Sequence, residues 1–131
     1  MPKQFSDDEL KHRLTPEQYR VLRKAATEAP YTGKFLHNKE SGDYVCPVCG
    51  NVLFKSDTKF DSGSGWPSFY DVANKGAVKL AEDDSAGIQR VEVRCAVCGS
   101  HLGHVFHDAP GQPTGMRFCI NSAALEFKKE A

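Results

Sequence analysis

The sequence lacks an excess of either charge, since Lys plus Arg and Asp plus Glu each number 17 among its 131 residues. Proteins whose main task is to bind nucleic acid usually carry a basic excess, so this balance argues against that class. No stretch approaches the roughly 20 apolar residues of a membrane-spanning helix, and residues 1–8 contain no apolar signal core. These absences favour a cytoplasmic protein that binds neither nucleic acid nor membrane. The length suits one domain, residues 1–131.

Helix-start signals are concentrated near the N-terminus. Ser6 and Thr15 each precede by three positions a Glu or Gln, which is the pattern of a capping box. Pro16 suits the first position of a helix, and Pro30 is expected to stop the second helix, which we predict to run to about Ala26. The sequence therefore predicts a helical segment at about residues 5–28.

From Tyr31 onward the segments are short and are separated by Gly, Pro, Asp and Asn. Apolar and polar residues alternate with period two over 90–95, which is typical of a half-buried strand. We expect a mainly antiparallel β domain at about 31–128, with the helices packed outside it. Further strands are predicted at 44–45, 52–54, 102–106, 118–120 and 125–127, and loops at 61–67 and 108–115.

Two nearly identical pentapeptides of the form Cys-x-x-Cys-Gly occupy 46–50 and 95–99. Two residues between the thiolates allow both sulfurs of a tight turn to face one ion, and the following Gly permits a positive φ. Together the turns predict a closed, structural zinc site with four sulfur ligands, Cys46, Cys49, Cys95 and Cys98. Iron would also fit the geometry, and two separate dithiols are the alternative.

Cys119 is the fifth cysteine and is left over from this set. A lone cysteine in a strand can be a small buried apolar residue. Arg117 and Asn121 each lie two positions away and hence on the same face of a strand. A cation beside a thiol favours the thiolate, and the amide brings a donor, so both neighbours favour a reactive role.

A histidine cluster lies upstream of Cys119. His101 and His104 are three positions apart, so in a flat strand they would point to opposite faces. Gly103 between them could mark a bend that brings them together. His107 is expected to be a surface residue. The pair could instead bind a second metal, although no third ligand stands out.

The sequence resembles the B-type peptide-methionine (R)-S-oxide reductases over about residues 15–128. The blocks that carry the resemblance are Cys-Pro-Val-Cys at 46–49, Lys-Phe-Asp-Ser-Gly-Ser-Gly-Trp-Pro-Ser-Phe at 59–69, Arg-Cys at 94–95 with Cys98, His-Leu-Gly-His-Val-Phe at 101–106 and Arg-Phe-Cys-Ile-Asn-Ser at 117–122. The resemblance implies two antiparallel sheets and one structural zinc.

The resemblance also implies roles for individual residues. Cys119 is expected to be the nucleophile, and His101, His104 and Asn121 to bind or protonate the sulfoxide oxygen. Trp66 is implied to hold the substrate methyl group, with Arg117 and Asp108 as supporting residues. The implied substrate is methionine sulfoxide, in oxidised proteins and peptides or as the free amino acid. The implied products are methionine and a sulfenic acid on Cys119, which is a reversible oxidation state.

Ser64 marks a departure from the family pattern. Many members carry a second cysteine at this place, which resolves the sulfenic acid as an intramolecular disulfide. The other four cysteines are assigned to metal, so we expect an external thiol to reduce Cys119. Thioredoxin, glutathione with glutaredoxin, and a small dithiol are the candidate reductants, and Ser64 could still donate a hydrogen bond near the thiolate.

Two other functional classes remain open from the residues alone. The paired Cys-x-x-Cys-Gly turns would also suit a non-enzymatic zinc module that binds protein or nucleic acid. Cys119 with the nearby histidines would also suit a different thiol enzyme, such as a hydrolase with a Cys–His pair.

Overall fold

The structure is a computed structural model that describes residues 6–74, 76–83 and 90–129. Residues 1–5 lie outside the described residues. They include Phe5, at which the predicted helical segment begins, and most of the stretch 1–8 that lacks an apolar signal core. The described residues include two short α-helices, α1 at Asp7–Arg13 and α2 at Pro16–Lys24. Neither helix, nor any other in the described part of the chain, is long and apolar enough to cross a membrane.

The predicted capping chemistry starts both helices. Thr15 forms a complete capping box with Gln18, and Pro16 occupies the first turn. At α1 only half of the box forms: the Ser6 side chain accepts a hydrogen bond from the Glu9 N–H, while the Glu9 carboxylate accepts one from Arg13. Helix α2 ends slightly earlier than predicted, because the next residue, Ala25, adopts a left-handed conformation with φ of 56°.

Within the described residues, nine strands form two antiparallel sheets, which confirms the predicted fold class. One sheet has the order β2-β1-β9 and the other the order β3-β4-β8-β7-β6-β5. The strands are β1 Gly42–Val45, β2 Val52–Lys55, β3 Lys59–Phe60, β4 Ser68–Phe69, β5 Val78–Asp83, β6 Arg90–Cys95, β7 His101–Phe106, β8 Arg117–Ile120 and β9 Glu126–Lys129. Short 3₁₀ turns lie at Ser56–Thr58 and Ser122–Ala124. The loops predicted at 61–67 and 108–115 are confirmed.

Aromatic rings join the two sheets in a shared core. The ring of Phe54 stacks on that of Phe69 at 4.4 Å between centroids, and Tyr44 meets Phe69 edge-on at 5.1 Å. Phe118 from β8 packs against Phe54 at 5.8 Å. Helix α2 packs against β7 and the turn at Ser122–Ala124, and both helices contribute leucines to the same core. The sheets therefore hold β4, β7 and β8 rigidly side by side.

Candidate active site

The four paired cysteines converge at one end of the molecule. Their sulfur atoms all lie within 4.8 Å of one another. In each turn the amide of the trailing glycine bonds back to the first cysteine carbonyl at 2.8 Å. Gly50 and Gly99 have φ of 80° and 76°, which is the positive φ expected from the pattern. The two turns thus have matching geometry, and each presents its sulfurs to the other.

The spacing of the sulfurs fits a single tetrahedral metal ion. The Cys46 and Cys98 sulfurs are 3.7 Å apart, and those of Cys49 and Cys95 are 3.5 Å apart. A tetrahedral zinc site with Zn–S bonds of about 2.3 Å would set its sulfurs roughly 3.8 Å apart. Burial raises the pKa of Cys49 to about 12, so ionisation of the crowded thiols calls for a compensating cation. These four residues could therefore hold a metal ion.

Two arginines fix the two cysteine turns to the helices. The Arg13 guanidinium donates to the carbonyls of Pro47 and Val48 at 3.2 and 3.0 Å. The Arg23 guanidinium donates to the Cys98 carbonyl at 3.4 Å and to the Ser100 hydroxyl at 3.1 Å. Each helix therefore holds one turn, a link that no local sequence pattern indicates.

Cys119 lies on β8 and is surrounded by hydrogen-bonding groups. Its side chain is buried, with 8% of the residue exposed. Arg117, on the same face of the strand as expected, places Nη1 2.8 Å from the Cys119 sulfur. The Ser64 and Ser68 hydroxyls lie 3.5 and 3.7 Å from the same sulfur. The Cys119 sulfur therefore has three side-chain hydrogen-bonding partners, which a purely apolar pocket would not offer.

Arg117 is itself held in place from two sides. Asp108 accepts two parallel hydrogen bonds from Arg117, both at 2.9 Å, and the guanidinium lies 4.5 Å from the centre of the Phe106 ring. The hydrogen bonds to Asp108 raise the pKa of Arg117, and the same bonds lower the pKa of Asp108. Asp108 is exposed and lies behind Arg117, so it positions the cation that reaches the sulfur.

A cavity of about 320 Å³ opens onto the Cys119 sulfur. Its walls combine an indole and a phenyl ring with imidazole, guanidinium and amide groups. The lining residues are Thr27, Ser64, Trp66, Arg90, Gly103, His104, Phe106, Arg117, Cys119 and Asn121. A neutral group that carries a methyl and one polar oxygen would find both apolar and hydrogen-bonding contacts there.

The two histidines come together as the glycine between them suggested. A register irregularity opposite Val93 and Arg94 interrupts the alternation of β7. As a result the rings of His101 and His104 lie 5.5 Å apart. Gly103 is required at this point, because a Cβ atom there would collide with the Cys119 carbonyl of the neighbouring strand. His107, in contrast, is exposed, as expected.

Each histidine is bound to a carboxylate, but only one of them lines the cavity. His104 is the register partner of Cys119, and its Nε2 lies 2.8 Å from Asp83. His101 lies deeper, with Nδ1 2.6 Å from Glu92, and burial lowers its pKa. Its Nε2 has no hydrogen-bond partner among the residues that the structure describes. The geometry thus separates the two predicted histidines into a cavity residue and a supporting one.

Glu28 connects two of the predicted site residues and was not found from the sequence. Its backbone N–H donates to the Asn121 side-chain oxygen at 3.0 Å, and its carbonyl accepts from the Trp66 indole at 3.0 Å. The buried carboxylate accepts from the Ala123 N–H at 3.0 Å, and desolvation raises its pKa. The Asn121 amide also donates to the Leu102 carbonyl at 2.9 Å. Nothing in the local sequence around Glu28 signals this role.

Comparison with known proteins identifies a family and several relatives that the chain resembles in sequence. The chain matches the family described as SelR domain over residues 14–129. It is 56% identical over 125 residues to "Peptide methionine sulfoxide reductase MsrB" of Leptospira interrogans, a match that covers 95% of each chain. The protein of the same name from Methanosarcina mazei is 58% identical over 125 residues, 95% of this chain and 89% of the relative. "Methionine-R-sulfoxide reductase B3, mitochondrial" of Mus musculus is 54% identical over 123 residues, 94% of this chain and 48% of the relative.

Proposed function

The chain belongs to the SelR family, and from that membership we propose that it reduces methionine-(R)-sulfoxide, in proteins and peptides or as the free amino acid, to methionine. The observation that carries the proposal is the position of the Cys119 sulfur. It faces a cavity of about 320 Å³ and accepts a hydrogen bond from the Arg117 guanidinium at 2.8 Å. A thiolate so placed can attack the sulfur atom of a bound sulfoxide.

The reaction needs a nucleophile and a proton donor. Cys119 attacks the sulfoxide sulfur and forms a transient sulfur–sulfur bond. The sulfur–oxygen bond of the substrate then breaks, the oxygen passes to Cys119 as a sulfenic acid, and cleavage of the sulfur–sulfur bond releases methionine. Two electrons pass from the thiolate to the substrate, and the departing oxygen takes up a proton. Arg117, held by Asp108, stabilises the thiolate before the attack.

His104 is the proton donor in this proposal. It lines the cavity directly opposite Cys119, and histidine exchanges protons near neutral pH. The Asp83 carboxylate only accepts hydrogen bonds, so it holds a hydrogen on Nε2 and leaves Nδ1 to take up the thiol proton of Cys119 and pass it to the sulfoxide oxygen. His101 is held neutral by burial and donates to Glu92, so it positions the neighbouring ring.

The remaining cavity residues select and orient the substrate. The Trp66 indole and the Phe106 ring supply an apolar surface for the methyl group. Asn121 donates one amide hydrogen to Leu102, and its second amide hydrogen is available for the sulfoxide oxygen. An oxygen bound on one side and a methyl bound on the other would discriminate between the two sulfoxide epimers.

An external thiol would recycle Cys119. The sequence contains five cysteines, and four of them form the cluster that could hold a metal ion. Ser64 occupies the position nearest the Cys119 sulfur on the loop and has no thiol to offer. The sulfenic acid would therefore wait for thioredoxin, for glutathione with glutaredoxin, or for a small dithiol.

A structural zinc ion would be held by Cys46, Cys49, Cys95 and Cys98. Four sulfurs would fill the coordination sphere of a tetrahedral ion, and such a closed site contributes to folding rather than to catalysis. The arginine links from both helices to the metal-binding turns support a single domain across residues 1–131.

Turnover on separated R and S epimers with dithiothreitol tests the proposal. The R epimer should be consumed and the S epimer should not. Cys119→Ser should lower turnover at least about a thousandfold, because the nucleophile itself is removed, while zinc content stays unchanged. Retained turnover in that variant, or equal turnover of the two epimers, would contradict the mechanism.

The recycling step has its own measurement. After one equivalent of substrate and no reductant, peptide mapping should find the oxidised site at Cys119 as a sulfenic acid that dimedone can trap, with no intramolecular disulfide. Thioredoxin with its reductase and glutathione with glutaredoxin are then added in separate reactions. The system that restores multiple turnover is the reductant.

A further inference from the structure

Three serine hydroxyls and the Cys119 sulfur form a closed ring. The Ser62 hydroxyl lies 2.8 Å from the Ser64 hydroxyl and 2.7 Å from the Ser68 hydroxyl. Ser64 and Ser68 in turn lie 3.5 and 3.7 Å from the sulfur. Ser68 also approaches the Trp66 carbonyl at 3.1 Å. Every hydroxyl in the ring therefore touches the next, and the ring begins and ends at sulfur.

The fold holds these hydroxyls in place. Ser68 is fully buried on β4 and is the register partner of Cys119 on β8. The other two serines lie on the loop at 61–67, which Tyr31 holds through hydrogen bonds to the carbonyls of Gly63 and Gly65, at 2.9 and 2.7 Å. The hydroxyls can rotate, but their oxygens cannot move far from the sulfur.

The hydrogen bonds of the ring can point in either of two directions, depending on whether Cys119 is a thiol or a thiolate. With Cys119 as a thiol, its hydrogen can point to Ser64, Ser64 can donate to Ser62, Ser62 to Ser68, and Ser68 to the Trp66 carbonyl. Each hydroxyl then gives one hydrogen and receives one. No proton is left without an acceptor.

With Cys119 as a thiolate, the sulfur can only accept. Ser64 then turns its hydrogen to the sulfur, and Ser62 donates to the Ser64 hydroxyl oxygen. Ser68 can turn its hydrogen from the Trp66 carbonyl to the sulfur. The thiol proton leaves through the cavity, to solvent or to His104. Rotation of hydroxyls alone therefore converts the ring from an acceptor into a donor.

We infer that Ser64 and Ser68 are catalytic residues that donate hydrogen bonds to the Cys119 thiolate, and that Ser62 is a positioning residue that couples them. This inference rests on the proposed role of Cys119 as the nucleophile. A thiolate that is only 8% exposed has little water around it, and a buried charge requires protein donors in place of water. Arg117 supplies one from one side, and the serine ring supplies the others.

Alkylation of Cys119 by iodoacetamide at fixed neutral pH tests the inference without any sulfoxide. The protein is used with its metal retained, and peptide mapping locates the label among the five cysteines. Ser64→Ala and Ser68→Ala should each slow labelling about three- to tenfold, because each removes a hydrogen bond to a charged group. Ser62→Ala should slow it as well, although Ser62 does not touch the sulfur.

Conservative and remote variants separate this role from a structural one. Ser62→Thr and Ser64→Thr keep the hydroxyl and should recover most of the wild-type rate. Ser56→Ala is the matched control: it loses a hydrogen bond from the Gly42 N–H but lies away from the cavity, and it should label at the wild-type rate. Simple loosening of the loop would expose the thiol and speed labelling.

Wild-type or faster labelling of both Ser64→Ala and Ser68→Ala would overturn the inference. The outcome is distinct from failure of the proposed function, which is judged by wild-type turnover on the R sulfoxide. If the wild-type protein reduces no sulfoxide but the serine variants label slowly, the inference about the serine ring stands and only the proposed function is refuted. Normal turnover with unchanged labelling would refute the ring alone.

Discussion

At the scale of the residue, the contact between Ser64 and Cys119 bears directly on how the proposed sulfenic acid would be reduced. The two side-chain ends lie 3.5 Å apart, with no other side chain needed to bring them closer. A hydroxyl at this distance can donate a hydrogen bond but cannot form a bond to an oxidised sulfur. Exchange of one oxygen for sulfur would therefore change the chemistry without a change of fold.

Ser64→Cys is expected to create an intramolecular disulfide with Cys119 after one turnover. The new thiol would attack the sulfenic acid, release water and make the protein competent for disulfide reductants. Peptide mapping after one equivalent of R sulfoxide measures the bond, with Ser64→Ala as the control that cannot form it. A disulfide that instead joins Cys119 to a cluster cysteine, or no disulfide at all, would contradict the geometry.

His101 gives the molecule a pH dependence of stability. Burial lowers its pKa in the folded state, whereas an unfolded histidine titrates near 6.5. Below that pH the unfolded chain binds a proton that the folded protein does not, so the free energy of unfolding should fall as pH drops from about 6.5 towards the folded pKa. Above it, this contribution is constant.

Urea unfolding between pH 5 and 8 measures this effect. His101→Gln removes the titrating group and should flatten the slope of stability against pH, even if its overall stability is lower. Loss of metal at acidic pH affects both proteins alike, so the difference between their slopes isolates His101. Equal slopes for the two proteins would show that His101 keeps its ordinary titration when folded.

At the scale of the element, the pairing of β7 with β8 depends on a glycine. A Cβ at Gly103 would collide with the Cys119 carbonyl and would lie 3.0 Å from the Ile120 Cα. These are backbone atoms, so they cannot rotate away as a side chain would. The two strands that carry His104 and Cys119 can therefore lie this close only because residue 103 has no side chain.

Gly103→Ala should destabilise the protein by about 1–3 kcal/mol, the usual range for overpacking, and should lower turnover because it separates His104 from Cys119. Chemical denaturation and kcat/KM on R sulfoxide measure the two effects. Gly111→Ala is the matched control, since a Cβ there meets no atom within 4 Å. Wild-type stability in Gly103→Ala would mean that the strands can shift without cost.

The elements that could be predicted from the sequence are those with local signals. The Thr15 cap started α2 where expected, and the alternation of 90–95 gave β6. Strand β5 was missed because it is an edge strand whose Leu80 is 52% exposed, so its apolar residues do not alternate with burial. The two-residue strand β4 was missed because its pairing with β8 alone defines it.

The same distinction applies to the site. The approach of Arg117 to Cys119 followed from the period of a strand, and the meeting of the two histidines was suggested by Gly103. Asp83, Glu28 and Ser68 could not be identified, because each reaches the site by a contact between segments that are distant in sequence. Such contacts depend on sheet order, which local patterns do not encode.

At the scale of the whole molecule, the four-cysteine cluster links both sheets and both helices at one point, in addition to the aromatic core that the sheets share. Cys46 and Cys49 follow β1 of the smaller sheet, whereas Cys95 ends β6 of the larger sheet and Cys98 follows it. Arg13 and Arg23 add the two helices to the same point. One ion would thus stabilise both sheets and the N-terminal segment at once.

Removal of the metal should abolish the cooperative thermal transition. Structural zinc binds with about 10–16 kcal/mol in small zinc domains, which is as large as the total stability of about 5–15 kcal/mol of a typical domain. Calorimetry after chelation, with metal content measured in parallel, checks the prediction. Cys119→Ser should keep its metal and its transition, and an unchanged transition in fully stripped wild-type protein would contradict it.

The turn at 95–99 leads directly from β6 into β7, so its length fixes which side chains of β7 face the cavity. Arg94 is opposite His101 and Glu92 is opposite His104 in the present register. Because side chains alternate along a strand, inserting or deleting one residue between Cys98 and His101 would turn His104 away from Cys119. The length of this turn therefore links the position of the proposed proton donor to that of the proposed metal ligands.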